Sequence, residues 1–240
     1  MPVRRILVDL AFPALADPSG FSDVALVIAP DGTLKRQEIP PVMSSATYGP
    51  GTVAFVVPPG VTSLGFEAQA AGAGAAGAGT TGTPGSPGTD GGDTEIRRGA
   101  AILARAVGGK GGRYNAPVGT RAGRGGFGGL GGISYRGGDG QAATPWNGGA
   151  AGVATIDALR GQAGTPTAEA SSGAGGGGTG NTVAYAGGGG EYVTGDIPVT
   201  PGETLTLVVG TGGPGGAGST ATQQPGRTGG HGFLTLRWSS

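Results

Sequence analysis

Residues 123–132 read Gly-Arg-Gly-Gly-Phe-Gly-Gly-Leu-Gly-Gly, and residues 210–218 read Gly-Thr-Gly-Gly-Pro-Gly-Gly-Ala-Gly. A stretch in which two of every three residues lack a side chain cannot present an apolar helix face or a pleated apolar surface. Whatever it folds into must be held by its backbone. The spacing recurs at Gly79, Gly82, Gly85, Gly88 and Gly91, with shorter pieces at 108–112, 137–140, 173–180, 187–190 and 226–232. Period three is that of the left-handed polyproline II conformation, which has three residues per turn and no internal hydrogen bonds. In a Gly-Gly-X run two of the three faces carry only hydrogen, so neighbouring backbones can approach closely and exchange N–H···O=C bonds. Amides buried without such partners are costly, and that cost drives such helices to bundle. The third face carries Arg124, Phe127, Leu130 and Ile133, and the last three are expected to cover a β core.

Three other readings compete for these runs. Collagen requires unbroken Gly-X-Y over a long span, whereas the longest single-phase stretch here, 79–91, is four triplets. A flexible glycine-rich linker stays open, although strands on both sides have to be brought together across it. Gly123 to Gly128 formally fits a phosphate-cradling Gly-x-Gly-x-x-Gly, but no strand precedes it and no helix follows, as that motif needs.

Composition removes whole function classes. Fifteen Lys+Arg balance fifteen Asp+Glu, so the basic excess of a nucleic-acid binder is missing. With no cysteine and one histidine, His231, thiolate chemistry, zinc sites and histidine acid–base catalysis have almost nothing to work with. The expectation is a non-enzyme with no cofactor and no metal. No apolar run approaches the ~18–20 residues of a membrane-spanning helix, so no membrane insertion is expected. Arg4-Arg5 and the apolar stretch to Ala16 superficially resemble a secretory signal, but Asp9 and Pro13 interrupt it, and the reading is a chain made without a signal peptide.

Of the 58 glycines, 6 lie in residues 1–71 and 52 in residues 72–232, which places a boundary near Tyr48-Gly49-Pro50-Gly51. Residues 1–48 read as a small β module: residues 4–10 as one strand, and residues 24–29 and 33–39 as a hairpin about Asp31-Gly32. Residues 49–240 form the glycine-rich domain. There, Val53, Phe55 and Val57 share a strand face, as do Leu64, Phe66 and Ala68, then Leu205, Leu207 and Val209, and finally Leu234, Leu236 and Trp238, with Trp238 expected in the core. Residues 94–107 fit two strands about Arg98-Gly99 or one helix; the surrounding β elements favour strands. Residues 153–160 are the best helix candidate.

The succession Phe55-Val56-Val57-Pro58-Pro59-Gly60-Val61, followed by Gly187 to Tyr192, Val199-Thr200-Pro201-Gly202-Glu203-Thr204-Leu205, Val208 to Gly213 and Gly232 to Trp238, resembles the glycine-rich domain of bacteriophage tail fibre proteins and adhesins. The motifs occur in family order across residues 52–238. A similar glycine-rich fold occurs in receptor ectodomains related to anaplastic lymphoma kinase. The resemblance implies an all-β fold: an antiparallel β-sandwich with a bundle of polyglycine II helices inserted between its strands, preceded here by the small N-terminal β module.

It also implies a phage virion protein of the tail fibre or tail tip. Residues 1–48 would dock to other tail proteins, and the variable segments would bind a host-surface receptor, a glycan or an outer-membrane protein. Candidates for that binding are Tyr114, Asn115, Tyr135, Arg136, Trp146, Asn147 and Tyr185, since aromatic, amide and guanidinium groups on rigid loops anchor recognition surfaces. The competing reading of Trp146 and the tyrosines is that they cap or fill the bundle. Asp90, Asp93 and Asp139 read as solvated turn residues rather than calcium ligands, because no calcium-loop spacing is present. Alternatives for the whole chain are a purely structural virion part, such as a head decoration or tail spacer, and a bacterial surface or secreted glycine-rich protein.

Overall fold

A computed structural model of the chain describes the backbone at 24–28 and 34–38, and residues 43–79, 85–113, 123–140, 173–176, 185–220 and 223–239. Backbone contacts divide the chain into Met1–Pro41 and Val42–Ser240. In the first unit β1 (Val24–Ile28) pairs antiparallel with β2 (Leu34–Glu38), from Val24↔Glu38 to Ile28↔Leu34, as the hairpin reading expects. The strand expected at 4–10 and the helix expected at 153–160 lie outside the described residues.

The second unit contains β3 (Met43–Tyr48), β4 (Gly51–Val56), β5 (Ser63–Gln69), β6 (Thr94–Arg98), β7 (Ala101–Ala106), β8 (Ile133–Tyr135), β9 (Tyr192–Pro198), β10 (Thr204–Val209) and β11 (Phe233–Ser239). These make two antiparallel sheets, ordered β3-β11-β5-β9-β8 and β4-β10-β6-β7. No helix occurs among the described residues. The period-two faces point inward: Leu64, Phe66, Leu205, Leu207, Leu234 and Leu236 are at most 2% exposed and join Ile96, Val193 and Ile197 in one apolar core drawn from both sheets. Each such side chain contributes about 1.5–3 kcal/mol by leaving water. The arrangement is all-β and compatible with a β-sandwich.

Two expectations are corrected. The boundary falls at Pro41–Val42, not after residue 48, because β3 pairs along its length with β11. Tyr48-Gly49-Pro50-Gly51 is therefore the step from one sheet to the other. Trp238 is half-buried at the rim, its ring 5.6 Å from that of Phe55, and does not lie in the interior. Residues 94–107 take the strand alternative, turning at Gly99 with φ +57°.

The glycine segments run off the ends of these strands: 70–79 continues β5, 85–92 leads toward β6, 107–112 continues β7, 185–191 leads into β9, 210–219 continues β10 and 224–232 leads into β11. Segment 70–79 lies at the middle of the array. Its amides donate in rotation with period three at 2.8–3.1 Å: Ala70, Ala73 and Ala76 to carbonyls of 185–191, Ala71, Gly74 and Gly77 to 85–92, and Gly72, Ala75 and Ala78 to 224–232. Its carbonyls accept from Gly109 and Gly112, from Gly176, and from Gly213, Gly216 and Ser219. Six segments thus surround it, and each bonds to the next around the ring, through Gly187→Gly176, Gly230→Ala174, Gly229→Gly213, Thr89→Pro214, Gly91→Gly109 and Gly188→Lys110. Close approach is what demands glycine: a Cβ on Gly74 would stand 2.0 Å from the Pro214 carbonyl oxygen, and one on Gly187 would stand 2.1 Å from that of Ala73.

Candidate functional site

Outside this ring lie two further segments, 123–130 and 136–140. Gly123 and Gly126 donate to Ala186 and Gly189, the Arg124 carbonyl accepts from Lys110, and Gly137 and Gly140 donate back to Gly126 and Gly123. Because the two glycine faces of Gly-Gly-X turn toward these neighbours, the third face turns away from them. Phe127 is 71% exposed, Leu130 41% and Ile133 65%, and Arg124 is also exposed. The expectation that this stripe covers the β core is corrected: it is an apolar ridge in solvent. The run itself carried the signal, since only its glycine faces can accept a neighbouring backbone.

Past the ridge the chain enters β8, where Ile133 pairs with Thr194 and Tyr135 with Tyr192. Tyr135 is half-buried, its ring 5.9 Å from that of Tyr192 at 56°. Burial first, and then the Glu67 carboxylate, push the Tyr192 hydroxyl up to about 12. Glu67 is itself ion-paired with Arg237. Arg136 is exposed and held 2.7 Å from Asp139, whose carboxylate also accepts the Gly125 N–H at 2.8 Å. Beside Ile133 a shallow groove of about 530 Å³ crosses the outer face of the five-stranded sheet, over Gly65, Thr194, Gly195, Asp196 and Arg237.

The stretch 127–136, with exposed Phe127, Leu130, Ile133 and Arg136 and half-buried Tyr135, is the rim on which the candidates Tyr135 and Arg136 lie. Tyr185 is 6% exposed, and its carbonyl accepts from Ala76 in the array; it is packed inside and leaves the set of surface candidates. Tyr114, Asn115, Trp146 and Asn147 lie outside the described residues.

Sequence reasoning missed a second group of functional side chains, the acceptors that hold the array together. Asp90 accepts from Gly111, Asp93 from Gly108 and Thr94 Oγ1 from Gly210. The fully buried Glu191 takes the Val107 N–H on Oε2 at 3.1 Å and the Gly129 N–H on Oε1 at 3.0 Å. Asp90, Asp93 and Asp139 are amide acceptors rather than freely solvated turn residues. Exposed His231 accepts the Gly212 N–H on Nδ1 at 3.0 Å, which assigns its proton to Nε2. No cluster among the described residues could hold a metal ion. Comparison of the chain with protein-family models, with curated proteins and with solved structures gives no match.

Proposed function

We propose that this chain is a non-enzymatic virion protein of a phage tail fibre or tail tip, and that residues 42–240 are its outward-facing glycine-rich domain. In this reading the array is a polyglycine II bundle projecting from a β-sandwich, and residues 1–41 dock to other tail proteins. The observation that carries it is the rotation of the 70–79 amides among three neighbours with period three, inside a ring of six. That is the pairing expected of packed threefold helices and of neither strands nor a loose linker.

The rim of Phe127, Leu130, Ile133, Tyr135 and Arg136 supports a recognition role. It sets large apolar and cationic groups on a backbone rigidified by hydrogen bonds on its other faces, which lowers the entropy lost on binding. A host-surface glycan or outer-membrane protein is the partner class, with Trp146, Tyr114, Asn115 and Asn147 as further contributors. The test is antibody labelling of the particle together with adsorption assays. Label on the tail, and altered host range in Phe127→Ala and Tyr135→Ala particles, support the reading. Label on the head, or unchanged adsorption by both variants on intact particles, favours a purely structural virion part.

A further inference from the structure

The two sides of the paired sheets are finished differently. On one side the chain closes the edge of β7, where Arg105 and Leu130 exchange two backbone hydrogen bonds of 3.0 Å, and then crosses to pair as β8 with β9. On the other side β4 pairs only with β10, and no described strand covers its second edge. Residues 43–56, spanning β3 and β4, contain no charged side chain, and β4 contains no proline. Natural sheets blunt an exposed edge with lysine, proline, a bulge or a covering loop. Among the described residues β4 shows none of these.

The register shows what the edge offers. Val57 donates to Glu203 and accepts from Gly202, both at 2.9 Å. By alternation Phe55 and Val53 also direct their backbone groups toward β10, so those of Thr52, Ala54 and Val56 point outward. Two valines of this strand stand in solvent, one on each face. Val53, on the core-facing side with Phe55 and Val57, is 40% exposed, and Val56 is 60% exposed.

We infer that β4 is a homodimerisation edge, taking the β4 strand of a second copy antiparallel about a twofold axis at Ala54. In Thr52-Val53-Ala54-Phe55-Val56 the isosteric Thr52 and Val56 stand at equal distances on either side of Ala54. Ala54 meets itself, each Thr52 meets the isosteric Val56 of the other copy, and each Val53 meets Phe55 in the close non-hydrogen-bonded pairs. The three outward residues exchange about six backbone hydrogen bonds, two for each pair. β-branched and aromatic pairs of this kind stabilise antiparallel sheets. The contact is isologous and closes on itself. It covers Val53 and Val56 together and joins the two four-stranded sheets into one, with no like charges opposed. The same uncharged strand thus supplies both halves of the pairing.

The test uses the full chain. Sedimentation should give a dimer. Ala54→Lys opposes two ammonium groups across the axis at an exposed position, and should raise the dimer dissociation constant about a hundredfold or more while leaving circular dichroism unchanged. Thr52→Glu with Val56→Lys places opposite charges across from each other and should keep the dimer, whereas Thr52→Lys with Val56→Lys should break it. The chain has no cysteine, so Ala54→Cys offers a single thiol. A short bis-maleimide should link two copies there and not in Arg136→Cys, which lies past β8 at the edge of the other sheet. A wild-type monomer at every concentration overturns the inference. So does a dimer indifferent to Ala54→Lys, or equal cross-linking at both cysteines.

Discussion

The space between the two sheets and the centre of the glycine array both exclude solvent, yet they are built from opposite materials. Between the sheets, Leu64, Ile96, Leu205, Leu207, Leu234 and Leu236 are completely buried, and side-chain area removed from water supplies the cohesion. In the array the innermost residues are Ala70, Ala71, Ala73, Ala75 and Ala76, also completely buried, and little more than backbone meets backbone. The first kind of core is non-directional and accepts changes of shape. The second is directional, since every N–H has one carbonyl to find, and it has no room for an added atom. Glycine also loses the most conformational freedom on ordering, which explains why the array segments are tethered at strand ends: the sheets hold the glycine backbone where its bonds can form.

The comparison breaks most sharply on a single methyl. Gly74→Val should destabilise the domain by more than about 4 kcal/mol, because its Cβ would stand 2.0 Å from the Pro214 carbonyl and the neighbour is backbone that cannot step aside. Even Gly74→Ala should be severe. Calorimetry reads the size of the effect, and hydrogen exchange at Ala73, Ala75 and Ala76 reads its place; wild-type protection at those amides would sink the close-packed picture. In the sheets, Leu207→Ala should cost about 2–5 kcal/mol through the cavity it leaves. Leu207→Met should cost under about 1.5 kcal/mol. A tolerant conservative exchange at Leu207 beside an intolerant one at Gly74 is the expected signature of the two materials, and equal penalties would erase the distinction.

Legibility in the sequence follows the same division. Strands β5, β10 and β11 were readable because large apolar residues alternate there, and β6 and β7 were favoured over a helix by their context. β3 was not, since Met-Ser-Ser-Ala-Thr-Tyr has only small and polar groups between its end residues and precedes a glycine-proline turn that mimics a domain boundary. The period-three runs were readable as segments whose amides need partners on neighbouring backbone, and such bonds are present. Which segment is central was not, because 70–79 is alanine-rich and contains no Gly-Gly-X run. The ridge is misleading in sequence because Phe127, Leu130 and Ile133 look like ordinary core residues, whereas the glycine faces are the ones that meet neighbours. Tyr185 reads in sequence like a surface aromatic, yet the chain enters the array there. The amide acceptors were invisible for a topological reason: Glu191 meets Gly129 across 62 residues and Val107 across 84.

Glu191 sits where the two materials join, just ahead of β9, and it sharpens the comparison at that seam. Glu191→Ala leaves two part-buried N–H groups without this acceptor and should cost about 1–3 kcal/mol. Glu191→Gln keeps one carbonyl oxygen and should cost less than the alanine variant, with Gly129 or Val107, not both, losing exchange protection. Equal loss in the two variants would mean that the side chain acts through its volume, as a sheet residue does, rather than through its oxygens.

The smallest expected effect is a matter of protons. Burial raises the Asp90 pKa, but the Gly111 N–H at 2.8 Å and the Lys110 ammonium at 3.0 Å outweigh it and hold the carboxyl below its ordinary value of 3.8. Glu203, on the sheet side, is likewise lowered, first by its hydrogen bond with Arg98 and then by the Thr200 N–H. A carboxyl lowered in the folded state stabilises fully above its unfolded pKa, and that contribution disappears as pH falls through the folded one. Both regions should therefore soften below about pH 4. Asp90 is well exposed, so its ion pair with Lys110 is worth at most about 1 kcal/mol. Asp90→Asn keeps an acceptor for Gly111 and should flatten the acid limb of a melting-temperature profile between about pH 5 and 2 while moving the neutral value little. Glu203→Gln should flatten a separate part of the same limb. If Asp90→Asn lowers the melting temperature equally at every pH, the carboxylate serves the array by shape alone, and the array is as indifferent to charge as its glycines are.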